Sequence, residues 1–105
     1  MKTVWKYQLP PHPGLELWVV KLEMPRAAVP LTAQLQMLGE GRPPGWPGAT
    51  RLTIWAEVDD ESRLVPHRFA IIATGYGVPR TARFISTVQD GPFVWHVYDM
   101  GEEIA

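Results

Sequence analysis

Apolar and polar residues alternate along most of this chain, with a period of two. From Thr3 to Leu9, Trp5, Tyr7 and Leu9 fall on one side and Lys6 and Gln8 on the other. That period predicts a strand with one buried and one wet face. Pro10-Pro11-His12-Pro13-Gly14 ends the run, because proline brings no ladder N–H. A second run, Leu15 to Leu22, stops at Met24-Pro25. Pro30 to Leu38 alternates most cleanly, with Leu31, Ala33, Leu35 and Met37 predicted inward and Thr32, Gln34 and Gln36 outward. In Ala49 to Asp59, Leu52, Ile54, Ala56 and Val58 read as inside, and Arg51, Thr53, Trp55 and Glu57 as outside.

Pro66 to Thr74 breaks the alternation. Phe69-Ala70-Ile71-Ile72-Ala73 is continuously apolar, which predicts a central strand covered on both faces. Ala82 to Gln89 forms a sixth run. Asp90-Gly91-Pro92 turns into a seventh, Phe93 to Tyr98, with Phe93, Trp95 and Val97 inward and His96 and Tyr98 outward. Gly39 to Gly48, Asp59 to Ser62 and Gly75 to Pro79 read as loops and turns. The expected fold is all-β: a small antiparallel sandwich or partly open barrel of about seven short strands. One short helical turn is allowed around Arg26-Ala27-Ala28.

Composition narrows the class. At 105 residues the chain is one domain, residues 1–105, large enough for a core without staples. It has no cysteine, which excludes disulfide scaffolds, zinc–cysteine sites and thiol chemistry. A formal charge of −1 argues against an extended nucleic-acid interface. No apolar stretch is long enough for a helical membrane span, and the N-terminus has no signal-peptide pattern, so a cytoplasmic location is expected. Five tryptophans are more than a core this small needs. Trp18, Trp46 and Trp55 read as the exposed ones, anchors for an interface or the cover of a second small core.

Several strings acquire meaning from their order: Trp5-Lys6-Tyr7; Leu22-Glu23-Met24-Pro25-Arg26-Ala27-Ala28; Trp55-Ala56-Glu57-Val58-Asp59; Ala73-Thr74-Gly75-Tyr76-Gly77-Val78; and Phe84-Ile85-Ser86-Thr87-Val88 followed by Gly91-Pro92-Phe93-Val94-Trp95-His96-Val97-Tyr98. Over nearly its whole length the chain resembles a family of short bacteriophage proteins. The resemblance implies a phage or prophage origin and carries no activity with it. This chain departs in a longer Pro/Gly-rich insertion at Gly39 to Gly48. It also reads Ala73-Thr74-Gly75-Tyr76-Gly77 where the family has a Gly-Thr-Gly-His-like loop.

Candidate chemistry is sparse. His12, His67 and His96 lack partners at metal-ligand spacing, so no metal and no cofactor is expected. Asp59-Asp60-Glu61 reads as a solvated turn. Thr74, Gly75, Tyr76 and Gly77 read as a tight turn needing positive φ, or as a backbone nest for an anion with Arg80 and Arg83 close behind and Tyr76 free to stack on a ring. Trp55 and His96 complete the candidate ligand site. The function expected is a non-catalytic phage accessory binder. Its target would be a nucleotide-derived immune signal or a host defence protein, and it would act as a homo-oligomer, a dimer or higher, with the Phe93–Tyr98 strand pairing across a two-fold. The alternatives are a small nucleotide hydrolase using carboxylates with His67 or His96, and a structural component of the virion.

Overall fold

A computed structural model describes residues 1–37 and 50–103. Seven strands form two antiparallel sheets packed as a sandwich: β1 (Lys2–Gln8), β2 (Leu17–Pro25), β3 (Val29–Met37), β4 (Thr50–Asp59), β5 (Leu64–Ala73), β6 (Arg83–Asp90) and β7 (Phe93–Glu102). The order is β1-β4-β3 in one sheet and β2-β5-β7-β6 in the other. There is no helix among the described residues. The loop Gly39 to Gly48 and its Trp46 lie outside them.

The expected inward residues of β4 are all buried, and from the opposite sheet Val20, Phe69, Ile71, Val88, Trp95 and Val97 meet them. The two layers are also tied along one seam. Ser86 Oγ on β6 accepts the Ala33 N–H of β3 at 2.9 Å and lies 3.2 Å from Thr32 Oγ1. The sheet edges β3 and β6 are thereby pinned side by side, which leaves one barrel-like flank on a sandwich.

Several expectations need correction. The helical turn at Arg26–Ala28 is instead a tight β2–β3 turn. Pro25 O accepts the Ala28 N–H at 3.1 Å, and Ala27 stands at φ 64°. In β3 the inward set does not run from Leu31 to Met37. A bulge between Pro30 and Thr32 makes Leu31 an extra residue, half exposed, and Met37 lies exposed at the strand end. Ala33 and Leu35 do face the core. Thr53 points outward as read, yet it is fully buried. It sits on the central strand between Gln8 and Gln34, and a hydrogen bond of 3.1 Å from Gln8 Nε2 to Gln36 Oε1 spans that strand. Trp18 is not a free surface aromatic; it packs on the core.

The largest correction concerns order. β7 is not an edge that could pair across a two-fold. It lies between β5 and β6, hydrogen-bonded on both sides. Consequently β5 and β6 run parallel to each other, and residues 74–82 must cross from one end of the sheet to the other. The inner side is filled by the three-stranded sheet, so this crossover runs on the outer side. On that side Ala70 and Ile72 of β5 are fully buried.

Candidate binding surface

The crossover is anchored by histidine. His96, on the outer face of β7, places Nε2 2.8 Å from Thr74 Oγ1 and Nδ1 2.9 Å from Thr87 Oγ1. One threonine comes from the end of β5 and the other from β6, so both ring nitrogens are engaged and the loop start is fixed to the sheet. Gly75 then takes φ 94°, a conformation costly for any side chain, as Tyr76 N–H closes onto Ala73 O at 3.3 Å. Tyr76 and Arg80 emerge exposed from the crossover.

The structure thus joins Thr74 and His96, with Gly75 and Tyr76 following directly. It does not bring Arg83 to them. Arg83 stands opposite Asp99, which is level with Phe69, five residues back along β5 from Thr74, or roughly 16 Å at strand rise. The turn is therefore no link between neighbouring strands, and Arg83 belongs to another place: with Asp99 it lines a cleft of about 90 Å³ at the β3–β6 seam. Gly77 adopts no positive φ. Trp55 lies on the opposite side of the molecule, half-buried on the outer face of β4 between Lys6 and Thr32. Thr87, which lies outside the candidate ligand site read from the sequence, completes the histidine anchor from its place across from His96.

Around the crossover the outer side is apolar. Leu17 and Val19 of β2 are 46% and 50% exposed, Val78 of the loop 47%, and Phe84 of β6 58%. Phe84 meets Tyr98 edge-on, with ring centroids 5.6 Å apart. Beyond the apolar zone Lys21 Nζ pairs with Glu103 Oε2 at 2.7 Å, and Arg68, half-buried, keeps its Nε without a partner.

Two other clusters hold titratable groups. His67 Nε2 lies 2.6 Å from Asp99 Oδ1, which also accepts the Gly101 N–H at 2.7 Å. Burial pushes the Asp99 carboxyl up. The His67 and Gly101 hydrogen bonds, with the charges of His67 and Arg83, outweigh that and hold it below the usual carboxylate range. His67 is 3% exposed and stacks on Phe69, whereas Asp99 is only partly buried and reaches the cleft at the β3–β6 seam. At one end His12 stacks on Trp95 with centroids 3.8 Å apart and accepts the Gly14 N–H at its Nδ1. Burial lowers its pKa, against the opposing charge of Asp90. The cleft there holds only about 40 Å³. Among the described residues no group of three or more His, Asp or Glu is arranged to hold a metal.

The domain of unknown function DUF7352 matches residues 1–105, the full length of the chain. The chain belongs to the DUF7352 family. No curated protein and no solved structure matches it. For this DUF7352 member, then, the surface itself must carry the functional argument. Four of the strings that marked the sequence converge on the sandwich in distinct ways. The Ala73–Val78 string, the Phe84–Val88 string and the closing strand meet at the Thr74–His96–Thr87 anchor, whereas Trp55–Asp59 forms the centre of the other sheet.

Proposed function

We propose that this protein is a non-catalytic binder of the bacteriophage accessory type, active in the host cytoplasm, which works by occupying a nucleotide-derived immune signal or a host defence protein. The observation that carries this reading is the histidine-anchored crossover. It holds Tyr76 and Arg80 out on a fixed loop, one a stacking ring and the other an anion donor. Tightly bound anionic, aromatic ligands need those two groups. The burial of His67 supports a binder over a hydrolase acting through that ring, since a general base must reach its substrate.

Thermal unfolding in the presence of mono-, di- and cyclic nucleotides tests the signal-binding arm. A ligand at a hundred times its Kd adds about 2.7 kcal/mol, which for a domain of this size raises the midpoint by roughly 10 °C. Tyr76→Ala and Arg80→Ala should each abolish most of that rise. No shift with any nucleotide sinks the signal-binding arm and leaves the protein-blocking one.

A further inference from the structure

We infer that the cleft at the β3–β6 seam binds a free α-amino acid, with Asp99 receiving its ammonium group and Arg83 its carboxylate. The site is distinct from the crossover and does not rest on the function proposed above.

The backbone explains why a cleft opens there. β3 and β6 are facing edges of the two sheets, and Ser86 ties them together. On the N-terminal side of that tie the seam does not close. Pro30 has no N–H to offer a neighbouring strand. Both strands are also irregular at this point: Leu31 is an extra residue in β3 and Ile85 in β6, while Met100 is an extra residue in β7. A bulge leaves its extra residue unpaired and bends the strand, and bulges recur where a side chain is re-aimed beside a site. Three of them meet at one corner. The cleft of about 90 Å³ lies there, with Val29 and Pro30 on one side, Arg83 to Ile85 on the other, and Asp99 between.

Asp99 is held ready for a cation. Its two hydrogen bonds, from His67 Nε2 at 2.6 Å and the Gly101 N–H at 2.7 Å, both fall on Oδ1. Oδ2 accepts none among the described residues, and it is not shut away from solvent. Burial works against the charge of this carboxyl, but those two hydrogen bonds outweigh it and keep the group ionised at neutral pH. His67 is buried and stacked on Phe69, so the carboxylate is fixed in direction as well as in charge.

Arg83 supplies the opposite charge. It stands directly across from Asp99, is exposed, and makes no ion pair among the described residues. Facing residues of an antiparallel pair have Cα atoms about 4.5–5.5 Å apart. A matching ligand must therefore carry its own two charges equally close together. The ammonium and carboxylate of an α-amino acid share one carbon and meet that condition. A nucleotide brings anionic charge only, which Asp99 repels.

Size points the same way. The cleft equals the liquid share of about three waters, enough for an amino-acid head group and too little for a base with its sugar. Val29 and Phe84, each about half exposed, form an apolar lip over which the ligand side chain leaves. That lip favours an aliphatic side chain over a charged one.

Calorimetric titration of the full chain with alanine, valine and leucine tests the assignment. Saturable binding of one ligand per chain is expected. N-acetylvaline lacks the ammonium charge and valinamide the carboxylate; each should bind at least tenfold more weakly, as the loss of a charge-assisted hydrogen bond demands. Arg83→Gln should weaken valine binding at least tenfold, and Asp99→Asn should remove it with an unchanged β-type circular dichroism spectrum. Tyr76→Ala, at the crossover, should bind valine as the wild type does. Absence of binding by all three amino acids at concentrations up to about 10 mM overturns the proposal, and would mean that Arg83 itself satisfies Asp99. So does undiminished binding by Arg83→Gln or of N-acetylvaline, or binding lost in Tyr76→Ala.

Discussion

At the scale of residues, His67 and Asp99 are the pair whose loss should be felt most. Removing one partner of this largely buried hydrogen bond leaves the other's polar atoms unpaired, at a cost of about 1–3 kcal/mol. Asp99→Ala and His67→Ala should lower the denaturant midpoint by that order, while Asp99→Asn, which keeps a hydrogen-bond acceptor, should cost less. Because Asp99 titrates below its unfolded value, its contribution is present above the ordinary carboxylate pKa and lost as pH falls through the lowered one. His12 acts in a higher window. Its folded pKa is depressed by burial, so the folded state binds fewer protons than the unfolded one in mild acid. Stability should be complete above roughly pH 6.5 and decline below it. The thermal midpoint followed from pH 7 to pH 5 should fall in the wild type and fall less in His12→Phe, which keeps the stack on Trp95. None of these partnerships is legible in the chain. His67 and Asp99 are thirty-two residues apart, and their meeting depends on β7 lying beside β5.

At the scale of elements, period two located strands such as β1, β3 and β4, because one-sided burial writes itself directly into alternation, whereas β5 was legible as a continuous apolar run. It failed where the backbone leaves the period. The bulge at Leu31 shifts which side chains face in, and nothing in Pro30-Leu31-Thr32 announces it. The β2–β3 turn is similar: an Arg-Ala-Ala string has helical propensity, but the chain needs only a reversal there. Ala27 holds a left-handed conformation, and its N–H is donated to the Glu102 carboxylate. Ala27→Gly should therefore be stabilising by roughly 0.5–1 kcal/mol in urea unfolding. Ser86→Ala should act in the opposite direction. It leaves the Ala33 N–H unpaired at the seam, for a cost of about 1–3 kcal/mol. Truncation before Phe93 removes two ladders at once, so residues 1–92 should show no cooperative unfolding transition.

For the whole molecule, what the chain did not disclose was the order of strands. Pairing β7 between β5 and β6 follows from three-dimensional packing, and a linear string of similar apolar runs does not distinguish it from a simple meander. That one fact relocates the candidate site. It sends residues 74–82 across the outer side, with Tyr76 and Arg80 exposed on it, and parts Arg83 from Thr74. Local chemistry was read correctly at Gly75, where a positive φ is used, and at His96, which points outward. The account's central claim is that the protein works through the outer side of its four-stranded sheet. A photoreactive phenylalanine analogue at position 84, compared with one at position 4 on the other sheet, tests this in expressing cells. The account predicts a discrete adduct from position 84, at the mass of chain plus target, and none from position 4. An adduct from position 4 with none from position 84 would contradict it.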